Sequence, residues 1–336
     1  MVRRIGMAAL MVALAGAPVA GQAAAVGYTG MFVFGDSLSD NGNAYDSTSG
    51  IIPAPPYADG RFSNGPVYAD YMAGRLGLTL DNLLSGGTNY AFGGAGTDFN
   101  VPVILGQSPL SVESQVDLFR AQHVFSGADP DALYILFAGA NNLRRGIDAA
   151  AANPADATSI RQSVANDAVN DIIWMVNSLH DTGAQHFLIP NVPPLSTAPT
   201  DSAVRALADA FSVDFNTQLA AAVASLGDPK VILFDTFGLS QRVFADPLAF
   251  GFADVSSPCL TDASYLGGGT VCSDPDQHLV WDDAGHLTTA SHEILAGEML
   301  SALQAPPPHA VPIPASIYLF GAAVAVLGAV SRRRRR

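Results

Sequence analysis

A three-layer α/β/α fold around a parallel sheet is predicted by two features of the chain. Short apolar runs alternate with longer stretches of helical spacing, the pattern of βαβ units. One of those runs, Ala132 to Ala138 (ALYILFA), is apolar at every position. A strand that is apolar throughout suits a parallel sheet covered by helices on both faces.

The elements follow in order. Met31 to Gly35 is a strand running into a polar, turn-rich segment. Val67 to Leu76 carries apolar residues at helical spacing. Ile160 to Leu179 is a long amphipathic helix with Val164, Ala168, Ile172, Met175, Val176 and Leu179 along one side. His186 to Pro190 is a strand, Ala203 to Leu226 a helix, Val231 to Phe234 a strand and Leu287 to Leu303 a last helix. The stretches 47–64 and 245–276 are loop-rich. No internal repeat or long linker interrupts the body, so one domain is predicted over 28–304.

The two ends differ from that body. Arg3 and Arg4 precede an apolar run from Ile5 to Ala20, and Ala23-Ala24-Ala25 offers small residues for cleavage. These parts, in this order, predict a signal peptide over 1–25. At the other end, Pro306-Pro307-Pro308 and Val311-Pro312-Ile313-Pro314 precede an uncharged apolar run from Ala315 to Val330 and five arginines, Arg332 to Arg336. Sixteen residues are slightly short of the ~20 that a bilayer helix prefers. The arginines would hold that end on the cytoplasmic side. The last 26 residues or so resemble a PEP-CTERM type of bacterial sorting signal. The resemblance implies export, contact with sorting machinery and transient membrane anchoring over 305–336.

Seven of the 16 basic residues lie in these ends and none of the 30 acids does. The body therefore has nine bases and a net charge near −21, which repels nucleic-acid phosphates and anionic surfaces. Nucleic-acid binding is not expected on that ground. Two cysteines, Cys259 and Cys272, would sit in an oxidising compartment after export, and a disulfide between them is expected. Two cysteines without further nearby ligands make a poor zinc site.

In a parallel sheet, reactive groups collect at the C-terminal strand ends. Ser37 stands there, in FVFGDSLSDNGN. A serine attacks only if a base takes its proton and a third group orients the base. Among seven histidines, only His286 has an acid three residues before it in a turn leading into a helix, Asp283-Ala284-Gly285-His286. The developing oxyanion needs N–H donors. The Gly-rich NYAFGGAG (89–96) and the Gly139-Ala140-Asn141 that follows ALYILFA can supply them. Asp40-Asn41-Gly42-Asn43 lacks the spacing of a calcium loop and reads as a turn.

Four blocks in this order, GDSLSDNGN, NYAFGGAG, GAN and DAGH, resemble the GDSL family of SGNH hydrolases. The resemblance spans Phe32 to about Leu303. It implies an SGNH-hydrolase, flavodoxin-like architecture and a serine ester hydrolase (lipase, phospholipase or esterase) without cofactor or metal. It implies Ser37 as nucleophile and as a backbone oxyanion donor, Gly94 and Asn141 as further donors, His286 as base and Asp283 as orienting acid. The chain departs from the pattern at Asn142, where the family often has Asp, and at Leu287. Trp281 stands five residues before His286, one more than usual, which leaves Asp282 as the alternative acid. The serine is not in G-x-S-x-G, so an α/β-hydrolase elbow is not expected. The expected partner is an ester, of a lipid or an acylated small molecule. A deacetylase of cell-surface polysaccharide and a non-catalytic surface protein on the same scaffold are the other readings.

Overall fold

The computed structural model describes residues 27–99, 110–197, 202–228 and 230–304. The expected signal peptide and C-terminal sorting segment lie outside them. Among the described residues no helix is long and apolar enough to cross a membrane.

In chain order the elements are β1 (Met31–Gly35), α1 (Asn43–Ser47), α2 (Tyr68–Leu76), α3 (Val112–Gln122), β2 (Leu133–Phe137), α4 (Ala140–Ala152), α5 (Ala157–Thr182), β3 (His186–Pro190), α6 (Ser202–Leu226), β4 (Val231–Phe234), α7 (Thr236–Ala245), β5 (Asp254–Thr261), β6 (Thr270–Val271), β7 (His278–Asp282) and α8 (Thr289–Gln304), with short 3₁₀ turns between. β1 to β4 form a parallel sheet in that order. A further segment joins beside β1: the Val33 N–H donates to the Thr88 carbonyl and the Tyr90 N–H to the Val33 carbonyl. Counting that segment, the spatial order is the flavodoxin-like 2-1-3-4-5.

Strand alternation divides the core in two. Phe34, Tyr134, Leu136, Phe187 and Ile189 face a layer built from α3, α4, α5 and α6. Met31, Val33, Leu133, Ile135, Phe137 and Leu188 face the other, with α2, α7 and α8. Successive side chains on a strand point to opposite faces, so a buried run with no polar member is what a strand between two helical layers requires. The three-layer architecture is as the alternation of elements predicts.

The stretch 245–276 corrects one expectation. It reads as loop, yet it holds β5 and β6, which join β7 in a second, three-stranded sheet of order β6-β5-β7. The β5 sequence DVSSPCLT has a polar, partly exposed first half and a proline, so periodicity gives no strand signal there. Cys259 on β5 is bonded to Cys272 just after β6, as expected. The bridge borders a small cluster of Tyr57, Leu260 and Trp281. This cluster backs β7, the strand that leads into the turn carrying His286.

Candidate active site

β1 delivers Ser37 to the C-terminal edge of the sheet. Gly35 makes this possible by its lack of a side chain: a Cβ there would lie 2.6 Å from the Phe137 carbonyl oxygen on β2. The buried Gln115 side chain clamps the same peptide, accepting from the Gly35 N–H and donating to the Gly35 carbonyl, each at 2.9 Å. Past Ser37, the buried Asp40 carboxylate accepts from the N–H groups of Gly42, Asn43 and Ala44. Its Oδ2 also accepts from the Gly93 N–H at 2.8 Å. Asp40 thus closes the turn after the serine, as expected of that segment, and also binds the Gly-rich loop to it. Among the described residues no group of three or more His, Cys, Asp or Glu side chains could hold a metal ion.

The imidazole of His286 stands between Ser37 and an acid. Nε2 lies 2.7 Å from Ser37 Oγ. Nδ1 lies 2.7 Å from Asp282 Oδ2. An ionised carboxylate can only accept, so Nδ1 carries the hydrogen and Nε2 is free to take the serine proton. Phe62 and Tyr265 rings flank the imidazole at 5.3 and 6.0 Å between centroids.

The acid bonded to His286 is therefore Asp282 and not the expected Asp283. Asp282 is the last residue of β7 and is buried, whereas Asp283 is exposed on the turn. The Asp282 Oδ1 accepts from the N–H groups of Ala284 and His286 at 3.0 and 3.1 Å. Gly285, at φ +81°, lets the chain double back so that the His286 ring returns over the carboxylate four residues behind it. The turn between Asp282 and His286 leaves Asp283 on its outside.

Tyr57 completes this chain of hydrogen bonds. Its hydroxyl donates to Asp282 Oδ2 at 2.7 Å. The site fell outside the reach of sequence reasoning here, because Tyr57 lies in a loop with no periodicity and 225 residues from its partner. Burial alone would raise the Asp282 carboxyl; the charge and hydrogen bond of His286, followed by donation from Tyr57 and the His286 backbone N–H, hold it down at about 2. Tyr57→Phe is expected to lower kcat about tenfold with KM little changed, the loss of one hydrogen bond to a charged group. A fall in KM affinity with constant kcat would contradict a positioning role.

On the opposite side of Ser37, the N–H groups of Ser37 and Gly94 have no hydrogen-bond partner among the described residues. Asn141 sits in the first turn of α4. Its Nδ2 donates both hydrogens, to the Ala95 carbonyl at 2.8 Å and to Asp36 Oδ2 at a longer 3.3 Å, from the wall of the cleft. The neighbouring Asn142 is buried and exchanges hydrogen bonds with Thr97, which fixes α4 to the Gly-rich loop. Ser37, Gly94, Asn141 and His286 all line one cleft of about 370 Å³.

Buried titratable groups nearby set the acid response. Burial pushes the Asp36 and Asp40 carboxyls up to about 6. Burial pushes the His292 imidazole down to about 3. His292 packs inside α8 against the Tyr68 ring, as a core residue rather than a base. Between about pH 6.5 and 3 the unfolded chain binds a proton at His292 that the fold does not, so this group lowers stability as pH falls. The two aspartates act in the opposite sense, because the fold holds their protons more tightly than the unfolded chain. The difference between wild type and His292→Leu isolates the histidine. From pH 7 to pH 5 it is expected to move by about 2 kcal/mol in favour of the variant, measured by urea unfolding. A constant difference would show that His292 titrates normally.

Residues 31–299 match the family of GDSL-like lipases/acylhydrolases. The chain belongs to this family. It is 29% identical to a phosphatidylcholine-sterol acyltransferase of Aeromonas hydrophila over 83% of this chain and 80% of that protein. A GDSL esterase/lipase of Arabidopsis thaliana is 27% identical over 82% and 89% of the two chains. Among solved structures, an extracellular lipase from Streptomyces rimosus aligns with 82% of this GDSL protein and all of its own chain, at 17% identity and a TM-score of 0.42. The GDSL family is one of carboxylic ester hydrolases, in keeping with the expectation drawn from the four blocks.

Proposed function

We propose that this GDSL protein is an exported hydrolase of acyl esters, lipid or phospholipid, acting through an acyl-serine intermediate. The observation that carries the reading is the continuous chain from Ser37 Oγ through both His286 nitrogens to the buried Asp282 carboxylate. As Ser37 Oγ bonds to the ester carbonyl carbon, its proton passes to His286 Nε2. The negative oxygen formed there accepts hydrogen bonds from the Ser37 and Gly94 N–H groups and from Asn141 Nδ2, which can exchange its long Asp36 contact for the stronger charge. The carbon–alkoxy bond then breaks, and His286 returns its proton to the departing alcohol. Water attacks the acyl-serine by the same route, releasing the acid and restoring Ser37. Asp282 keeps the imidazole in the required tautomer and balances its charge while it holds the proton.

Export is supported by the disulfide, which persists in oxidising compartments, and by the leader and arginine-ended tail of the sequence. The test is hydrolysis by the purified full chain of p-nitrophenyl acetate, p-nitrophenyl hexanoate and short-chain phospholipid. A serine-reactive phosphonate should add to Ser37, as read by peptide mass spectrometry. Absence of both turnover and adduct overturns the reading. Turnover of acetyl esters alone would favour deacetylation of polysaccharide.

A further inference from the structure

Nine basic residues serve a body of net charge near −21. Arg61, Arg75, Arg120, Arg161 and Arg242 each hold a carboxylate. Arg145 stacks on the Phe99 ring. Arg144 differs. It lines the cleft that contains Ser37 and His286, and among the described residues it has no hydrogen bond or ion pair. Its charge is felt by Asp36 across the cleft. A guanidinium with no carboxylate at ion-pair distance, in so acidic a chain, is suited to receive an anion brought from outside.

A second cavity adjoins the first. Leu38, Pro193 and Gly285 line both. The second is otherwise walled mainly by Leu239, Val243, Phe252 and Leu295, and its space is about 60 Å³, room for a few methylenes. The two features lie on different sides of the sheet. The apolar cavity sits in the α2/α7/α8 layer, while Arg144 stands on α4, which packs in the other. Ser37, at the strand end, lies between.

We infer that the cleft is divided about Ser37, with the leading part of an acyl chain passing Leu38 into the apolar cavity and an anionic phosphodiester on the alcohol side held by Arg144. The substrate class is then an ester whose alcohol carries a phosphodiester, as in a glycerophospholipid taken up as a single molecule. An acetylated acidic polysaccharide would also bring negative charge, but its two-carbon acyl group leaves the apolar cavity unused. The inference rests on the hydrolase reading above and specifies what that site selects.

The experiment compares kcat/KM of the full-length chain on two soluble esters with the same acyl groups, dihexanoylphosphatidylglycerol and dihexanoylglycerol. Wild type is expected to prefer the phospholipid. Arg144→Gln should reduce that preference about tenfold or more, the loss of a charged hydrogen bond, and Arg144→Lys should restore part of it. Raised salt should shrink the wild-type preference and leave the Arg144→Gln ratio unmoved. Hexanoyl nitrophenyl ester should be cleaved faster than acetyl. A ratio unaltered in Arg144→Gln, a preference for the neutral glyceride, or faster turnover of an acetylated polyuronate overturns the inference and leaves the hydrolase reading intact. Failure of wild type to exceed Ser37→Ala on any of these esters overturns both.

Discussion

Ser37→Ala is expected to lower ester turnover by about 10⁴- to 10⁶-fold, the range found when a triad nucleophile is removed. The loss is large because, in the proposed mechanism, Oγ both forms the covalent bond and passes the proton to His286 Nε2, 2.7 Å away. Among the described residues no other hydroxyl is hydrogen-bonded to Nε2. The residual rate comes from the oxyanion donors, which the substitution leaves in place, since the Ser37 and Gly94 N–H groups belong to the backbone. Stability should be nearly unchanged. Gln115 and Asp40 hold the turn through backbone groups and make no use of the serine hydroxyl. Thermal unfolding with an ester assay separates the two effects. An equal rate for variant and wild type would sink the catalytic reading.

The second large effect distinguishes neighbouring acids. Asp282→Asn is expected to lower kcat by about 10³- to 10⁴-fold, because an amide can present its N–H to Nδ1 and impose the wrong tautomer on His286. Asn keeps the size of the buried side chain, so the comparison is not one of cavity formation. Asp283→Ala should stay within a few-fold of wild type, since that side chain is exposed on the outside of the turn. A variant pair with the opposite ranking would return the orienting role to Asp283. Acid titration provides a second check. The Asp282 carboxyl is held at about 2 in the fold, so its contribution to stability is complete above about pH 4, the unfolded value, and is lost as pH falls towards 2. The Asn variant lacks that dependence.

Much of the molecule was legible before the structure. β1, β3 and β4 occupy the stretches that apolar runs mark, and β2 lies one residue inside its run, because a strand between two helical layers has no polar face to hide its limits. The helices α3, α4 and α7 were not placed. Gly139-Ala140-Asn141 was expected after the ALYILFA strand as a source of oxyanion donors, and Asn141 stands there in the first turn of α4, a helix that the spacing did not reveal. Tyr57, Gln115 and Arg144 carried no signal. Each acts on a group far away in the chain, and residue type and local spacing contain no record of such encounters.

Sequence by itself determined the alternation of layers, the serine at the end of the first strand, and the order of the blocks that surround it. These are local properties, set by side-chain periodicity and by residues a few positions apart. Tertiary structure alone decided which of two adjacent acids reaches His286. Both sit within four residues of the histidine, and only the direction in which β7 ends and the turn at Gly285 closes places Asp282 inside and Asp283 in solvent.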